Sequence, residues 1–284
     1  MPTASDRSRL ISIVQSRQNA RVRELRAAFA RSGREPAEVI GIEGEHLLAE
    51  ALRSGLSLRT VFIRTDPDRR NLRLLERLAI PAHTAVVSLS PAVFASAVET
   101  ESPQGIAALV EPPQFSLADA LAGQRPLVVV AAGLQDPGNF GTLIRSAEAF
   151  GATGVVALPG TVSVWNSKVL RASAGSAFRV PVVQEKAGSA LASLSEQKIP
   201  ILAAVAASGE DESISCSACD LTRPAAILIG NEGSGLSQDL VDRADARIAI
   251  PMPGPVESLN AGVAASILLY EAARQRLANR KQAT

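Results

Sequence analysis

Hydrophobic positions in the first hundred residues alternate between helical stripes and short apolar runs. Val22, Leu25 and Phe29 recur at helical spacing in an Arg-rich stretch, which predicts a helix over 20–30. Residues 40–42 follow as a short strand. Residues 43–52 read as a helix with Leu47, Leu48, Ala51 and Leu52 on one side, stopped by Gly55. Residues 60–64, 86–89 and 105–110 read as strands, and 72–78 and 91–97 as helices. Such alternation predicts a small α/β domain over 1–112. Pro112 and Pro113 remove two backbone donors, and Gly123–Pro126 is a second breaker cluster. Residues 113–126 are therefore expected to be a linker.

From 127 the pattern changes. LVVVAA (127–132) is a continuous apolar run, suited to a parallel strand buried on both faces. Residues 139–150 predict a helix with Leu143, Ile144, Ala147 and Phe150 on one side, ended by Gly151. Residues 154–158, 178–183, 201–205, 226–229 and 247–250 predict strands, and 166–174 a short helix. A closing helix over 259–277 carries Leu259, Val263, Ile267, Tyr270 and Leu277 as its apolar positions. The fold class is α/β, with a parallel-sheet domain over 127–284.

Composition limits what such a chain does. At 284 residues it suits about two domains, and its net charge of +1 announces no nucleic-acid binder. That sum hides opposites. Residues 1–36 hold eight Arg against Asp6, Glu24 and Glu35. Residues 271–284 hold Arg274, Arg276, Arg280 and Lys281 against Glu271. Both basic ends are expected to contact phosphates, with a solvated helix face as the plainer alternative. At 3% aromatic residues the chain is poorly suited to base stacking. Cys216 and Cys219 are too few for a disulfide framework. As a C-x-x-C pair they lack a second ligand pair, and His46 and His83 lie elsewhere, His46 expected as a partly buried helix residue. No metal is expected. No run approaches the roughly 20 apolar residues of a membrane span, and the N-terminus lacks a signal-peptide core. The expectation is a soluble, cytoplasmic protein.

Three loops that follow predicted strands carry the candidate chemistry, since ligands of open α/β sheets bind beyond the strands' carboxyl ends. The first, 133–145, has Asp136-Pro137 to fix a turn, Gly138 to permit positive φ, Asn139 to cap the helix, and Arg145 nearly two turns on. The second, 229–236, packs Gly230, Gly233 and Gly235 around Asn231 and the lone charge Glu232. The third, 250–260, is stiffened by three prolines and ends at Ser258 and Asn260, which open the last helix. Neither G-x-G-x-x-G nor a G-K-[ST] phosphate loop occurs, which argues against a nicotinamide-dependent dehydrogenase. Each loop alone also suits a plain strand–turn–helix junction.

Taken in order, NFGTLIRSAEAFG, ILIGNEGSGLS and IPMPGPVESLNAGVAASILLYEAAR resemble the three motifs of the SpoU (TrmH-like) RNA ribose methyltransferases of the SPOUT superfamily. EGEHLLAEAL and ETESPQGIAALV resemble, more distantly, the ribosomal-protein-like RNA-binding domain that precedes the methyltransferase in many members. The resemblance implies a trefoil-knotted domain that works as a homodimer. It implies methyl transfer from S-adenosylmethionine to a ribose 2′-hydroxyl of RNA. Ribosomal RNA is the favoured substrate, with transfer RNA or a non-catalytic RNA-binding member as alternatives. Carried over, Asn139, Arg145, Glu232, Ser258 and Asn260 surround the reacting ribose. Gly230, Ile250 and Leu259 hold the cofactor, with Asn231, Gly233 and Met252 nearby.

Overall fold

The computed structural model describes residues 12–31, 38–65, 70–206 and 213–282. It divides the chain into two units: Met1–Pro113 with Trp165–Leu170, and Gln114–Val164 with Arg171–Thr284.

The first unit runs β1 (Ser12–Val14), α1 (Ala20–Arg31), β2 (Ile40–Glu43), α2 (Glu45–Arg53), β3 (Leu58–Arg64), α3 (Arg70–Arg77), β4 (Ala85–Leu89), α4 (Pro91–Ala95) and β5 (Ile106–Val110). Its sheet order is β1-β4-β3-β5-β2, with β5 antiparallel to both neighbours. Val22, Leu25, Ala28 and Phe29 of α1 pack into a core with Phe62, Val87, Leu89 and Leu109. Sequence periodicity carried the 43–52 helix back to Glu43, yet Glu43 ends β2. Its buried carboxylate accepts the Thr100 hydroxyl at 2.7 and 2.8 Å. Gly44, at φ +97°, makes the turn into α2. β1 went unread because three residues carry no period; pairing with β4 defines it.

The second unit runs α5 (Leu117–Ala120), β6 (Leu127–Ala131), α6 (Pro137–Ala149), β7 (Gly154–Ala157), a 3-10 turn (Ser176–Phe178), β8 (Val182–Gln184), α8 (Ala187–Glu196), β9 (Ile201–Val205), β10 (Ile214–Ser215), β11 (Ala225–Ile229), α9 (Gln238–Asp242), β12 (Ala246–Ala249) and α10 (Ala261–Gln282); α7 (Ser167–Ala172) divides, with its first four residues in the first unit and Arg171 and Ala172 in the second. Its strands lie in the order β10-β12-β9-β11-β6-β7-β8, all parallel. β6 and β11 are buried along their whole length. Their loops, and those after β9 and β12, leave the same edge of the sheet.

Three expectations need correction. The stretch read as a linker, 113–126, contains α5, opened by a Ser116–Asp119 capping box, and Ala120 and Leu121 are buried in the second core. The strand expected over 178–183 is shortened to β8, because Phe178 closes the 3-10 turn and Pro181 precedes β8. Of the apolar residues read along the last helix, Leu259 precedes it, Ile267 is half-buried and the other three face outward. Val263, Tyr270 and Leu277 are 44%, 54% and 59% exposed, whereas Ala261, Ala265, Leu268, Leu269 and Ala272 are buried. That helix is apolar on two sides, so apolar character alone did not select its buried face.

The basic ends also divide. Arg17, Arg21 and Arg23 are exposed and form no ion pair among the described residues. Arg7, Arg9 and Arg34 lie outside the described residues, as do the side chains of Arg31, Arg280 and Lys281. Arg274 is committed to Glu271 at 2.7 and 2.8 Å, and that guanidinium holds the Glu271 carboxyl below its usual range. Arg276 is no phosphate contact. It donates to the carbonyls of Leu221 (2.9 Å), Arg125 (2.9 Å), Arg223 (2.7 Å) and Pro126 (3.3 Å), clamping α10 over two loops. Arg276→Met should lower the unfolding free energy in urea by about 2 kcal/mol, since charged hydrogen bonds and desolvated carbonyls are lost together. An unchanged urea midpoint would contradict the clamp.

Candidate active site

β6 delivers the chain to Gly133, whose φ of +74° makes the sharp turn that sequence reading assigned to Gly138. Asp136, not Asn139, caps α6. Its Oδ1 accepts from the Asn139 amide at 2.7 Å, with Pro137 filling the first helical position. Asn139 thus sits a turn inside the helix, and its side chain is free to reach across to other loops.

The β11 loop folds back on itself. The Asn231 and Gly235 backbones exchange two 3.0 Å hydrogen bonds. A methyl group at position 230 would lie 2.3 Å from the Gly235 carbonyl carbon, so glycine there is required by the loop's own closure. Asn231 is an internal brace. Its Oδ1 accepts from the Gly233 and Ser234 amides at 2.9 and 3.2 Å, and its Nδ2 donates to Gly133 O at 2.7 Å. The folded loop leaves the Glu232 side chain exposed.

Asn260 caps α10. Its Oδ1 accepts from the Gly262 and Val263 amides at 3.0 and 3.2 Å. Because the cap fixes which atom is oxygen, Nδ2 must point the other way, and it donates to Asn139 Oδ1 at 2.7 Å. Asn139 Nδ2 in turn donates to Glu232 Oε1 at 2.9 Å. One directional chain, Asn260 to Asn139 to Glu232, ties together all three loops. Ser258 is exposed and outside this chain. Arg145 is also exposed and bonds to none of these groups. Six residues along α6, its Cα lies about 9 Å from that of Asn139 along the helix axis.

Beside the polar chain is a cavity of about 210 Å³. Gly230, Asn231, Gly233, Ile250, Met252 and Leu259 all line it, with Glu232 and Ser258. Sequence reasoning missed Ala204, Val205 and Ala206 at the end of β9, and Ala261, Ala264 and Leu268 on α10. Only strand order reveals that β9 flanks β11. Also missed was Gly262. A Cβ there would meet Asn139 O at 3.0 Å and Thr142 Cβ at 3.2 Å. Four residues on, Ser266 donates to Gly262 O (2.6 Å) and bonds Ser146 (2.7 Å). The Gly-x-x-x-Ser spacing of this seam was visible in the sequence.

Elsewhere, burial pushes both the Cys216 and Cys219 thiols up, which keeps them protonated and unreactive. Among the described residues no three His, Cys, Asp or Glu side chains are grouped to hold a metal. His46 is exposed on α2, not half-buried.

Gly262→Val should push α10 off α6 and break the Asn260–Asn139 bond. Activity should fall at least tenfold, with a loss of about 1–3 kcal/mol in stability from overpacking; wild-type activity would show that the bond is dispensable.

A family model described as the SpoU rRNA Methylase family matches residues 126–270, and one described as the MRM3-like substrate binding domain matches 19–108. The chain is 32% identical over 259 residues to 23S rRNA (guanosine(2553)-2'-O)-methyltransferase RlmP of Bacillus subtilis, covering 90% of this chain and 97% of that protein. It is 31% identical over 270 residues to 23S rRNA (uridine(2479)-2'-O)-methyltransferase of Streptomyces viridochromogenes, covering 94% and 93%. The crystal structure of the SpoU methyltransferase AviRb from Streptomyces viridochromogenes, in complex with AdoMet, superposes with a TM-score of 0.79 at 28% identity, covering 92% of this chain and 99% of that one. A family model spanning half the chain, and relatives aligned along nearly their whole length, establish that this chain belongs to the SpoU rRNA methylase family.

Proposed function

We propose that the chain transfers a methyl group from S-adenosylmethionine to a ribose 2′-hydroxyl of ribosomal RNA. The observation that carries this reading is the Asn260–Asn139–Glu232 chain at the cavity. It is a fixed polar relay beside an apolar pocket, built from three distant stretches of sequence. The names of the relatives, both 23S rRNA 2'-O-methyltransferases, support the substrate class.

The cavity suits the cofactor. Ile250, Met252, Leu259 and Leu268 supply apolar walls, the alanines of β9 leave room for a flat ring, and the loop backbones offer polar groups. Bound there, S-adenosylmethionine supplies an electrophilic methyl. The chain's own residues do the rest. Asn260 and Asn139 orient the Glu232 carboxylate, whose second oxygen accepts the hydroxyl proton. Ser258 lines the cavity and orients the same hydroxyl. Arg145 binds the neighbouring phosphate and stabilises developing alkoxide charge, since a guanidinium stays protonated and makes a poor base. Arg17, Arg21 and Arg23 add phosphate contacts from the first unit, which matches a substrate-binding family model.

The loss of one 2′-O-methyl mark from ribosomal RNA on deletion of the gene is the expected result of mapping total RNA. Wild-type protein should restore it and Arg145→Ala should not, although that variant folds. Loss confined to transfer RNA would overturn the substrate, and no lost mark would overturn the enzyme reading.

A homodimer belongs to the same proposal. Val263, Tyr270 and Leu277 expose an apolar face on α10, with Tyr270 set edge-on to Phe150 at 5.8 Å. A two-fold pairing through this face would cover it. The implied knot is consistent with the chain passing β9 and β11 after β12, to bring Asn260 to Asn139 beside β6. Action in the cytoplasm follows from the substrate; no helix among the described residues is long and apolar enough to cross a membrane. Sedimentation should give a dimer mass for the wild type and a monomer mass for Val263→Glu/Tyr270→Glu. A monomeric wild type would refute the pairing.

A further inference from the structure

The turn after β6 is held from both sides. The Gly133 amide donates to Thr161 Oγ1 at 3.0 Å, and the Gly133 carbonyl accepts from Asn231 Nδ2 at 2.7 Å. Thr161 lies in the loop after β7 and is only 7% exposed. Its hydroxyl donates in turn to Ala131 O at 2.9 Å, so it both accepts and donates across one bend of chain. A second strut, Val162 N to Leu134 O at 2.8 Å, runs alongside. Beyond Gly133 the bonds continue through Asn231 to the Gly233 and Ser234 amides of the cavity-lining loop. Thr161 itself does not line the cavity.

We propose that Thr161 is a positioning residue for the cofactor loop, acting through Gly133 and Asn231. The inference rests on the reading of the cavity as the S-adenosylmethionine site. The physical case is that Thr161, itself buried, gives the partly buried Gly133 amide a fixed hydrogen-bond partner. With the Thr161 hydroxyl in place, the Gly133 peptide is locked and its oxygen stands where Asn231 needs it. Without the hydroxyl, both the Gly133 amide and the Ala131 carbonyl lose their side-chain partner. The turn then relaxes, and Asn231 loses the fixed end of its brace. The β-branched side chain also restricts χ1, which holds the oxygen in the bend.

Calorimetric binding of S-adenosylhomocysteine to the full chain tests this. Thr161→Val removes the hydroxyl at nearly constant size and should weaken binding about tenfold. Thr161→Ser keeps the oxygen and should bind as the wild type does. Asn231→Ala should weaken binding similarly, and the double variant Thr161→Val/Asn231→Ala should be no weaker than Asn231→Ala alone, because both act on one path. A lowered melting temperature in Thr161→Val with unchanged affinity, or additive losses in the double variant, would overturn the proposal. If Thr161→Val does not fold, hydrogen exchange of the wild type decides. The Gly133 amide should be strongly protected, and exchange as fast as an open turn would also overturn it. A wild type that fails to bind S-adenosylhomocysteine would instead sink the cofactor reading, and this inference with it.

Discussion

The close approach of α10 to α6 is the constraint on which the rest of the site depends. It happens at Gly262, where a Cβ would lie 3.0 Å from Asn139 O and 3.2 Å from Thr142 Cβ, a tight fit for anything larger than glycine. Only at that separation does the residue capping α10 also reach the third residue of α6. Two elements separated by 121 residues then share one hydrogen bond, and a third loop joins through Glu232. The polar chain is a by-product of two helix termini brought together. Asn260 is oriented by the helix it caps, and it orients Asn139 and through it Glu232, which reduces the side-chain freedom left to freeze when substrate arrives.

Burial explains why the loops converge where they do. β6 and β11 are neighbours in a fully parallel sheet, and each is apolar along its whole length. Such strands cannot slide to expose one face, because neither face is polar. Their carboxyl ends therefore come level, and the loops that follow must share one edge. That edge is crowded. Gly230 has no room for a side chain, Gly133 must adopt positive φ, and Asn231 spans the gap between them. Glycine in these loops serves the meeting of loop with loop before it serves any ligand.

Charge shows how a formal sum misleads. Two of the four cations in the C-terminal stretch are used internally, Arg276 on four carbonyls and Arg274 on Glu271. Among the described residues near the N-terminus, Arg17, Arg21 and Arg23 are exposed and form no ion pair. A guanidinium has five fixed donors, so it satisfies stranded carbonyls at a helix–loop junction as readily as it binds phosphate. Nothing in a count distinguishes these uses.

The sequence by itself determined the apolar strands and the helices with a clear stripe, though not β1, β10, α5, α8 or α9, and it determined where chemistry-bearing residues cluster. Those properties are local: LVVVA and AAILI are apolar without interruption, and the three loops carry unusual Gly, Pro and Asn content in a recognisable order. Tertiary structure decided everything that rests on two distant segments meeting. It set Asp136 rather than Asn139 as the cap of α6, because the cap depends on where the turn at Gly133 releases the chain. It chose the Ala265, Leu268, Leu269 and Ala272 positions of α10 for burial over the Val263–Tyr270–Leu277 face, with Gly262 and Ser266 meeting α6. It added the end of β9 to the cavity wall, which follows from strand order alone. Periodicity reports how one segment partitions between water and core; it contains no term for which other segment supplies the core.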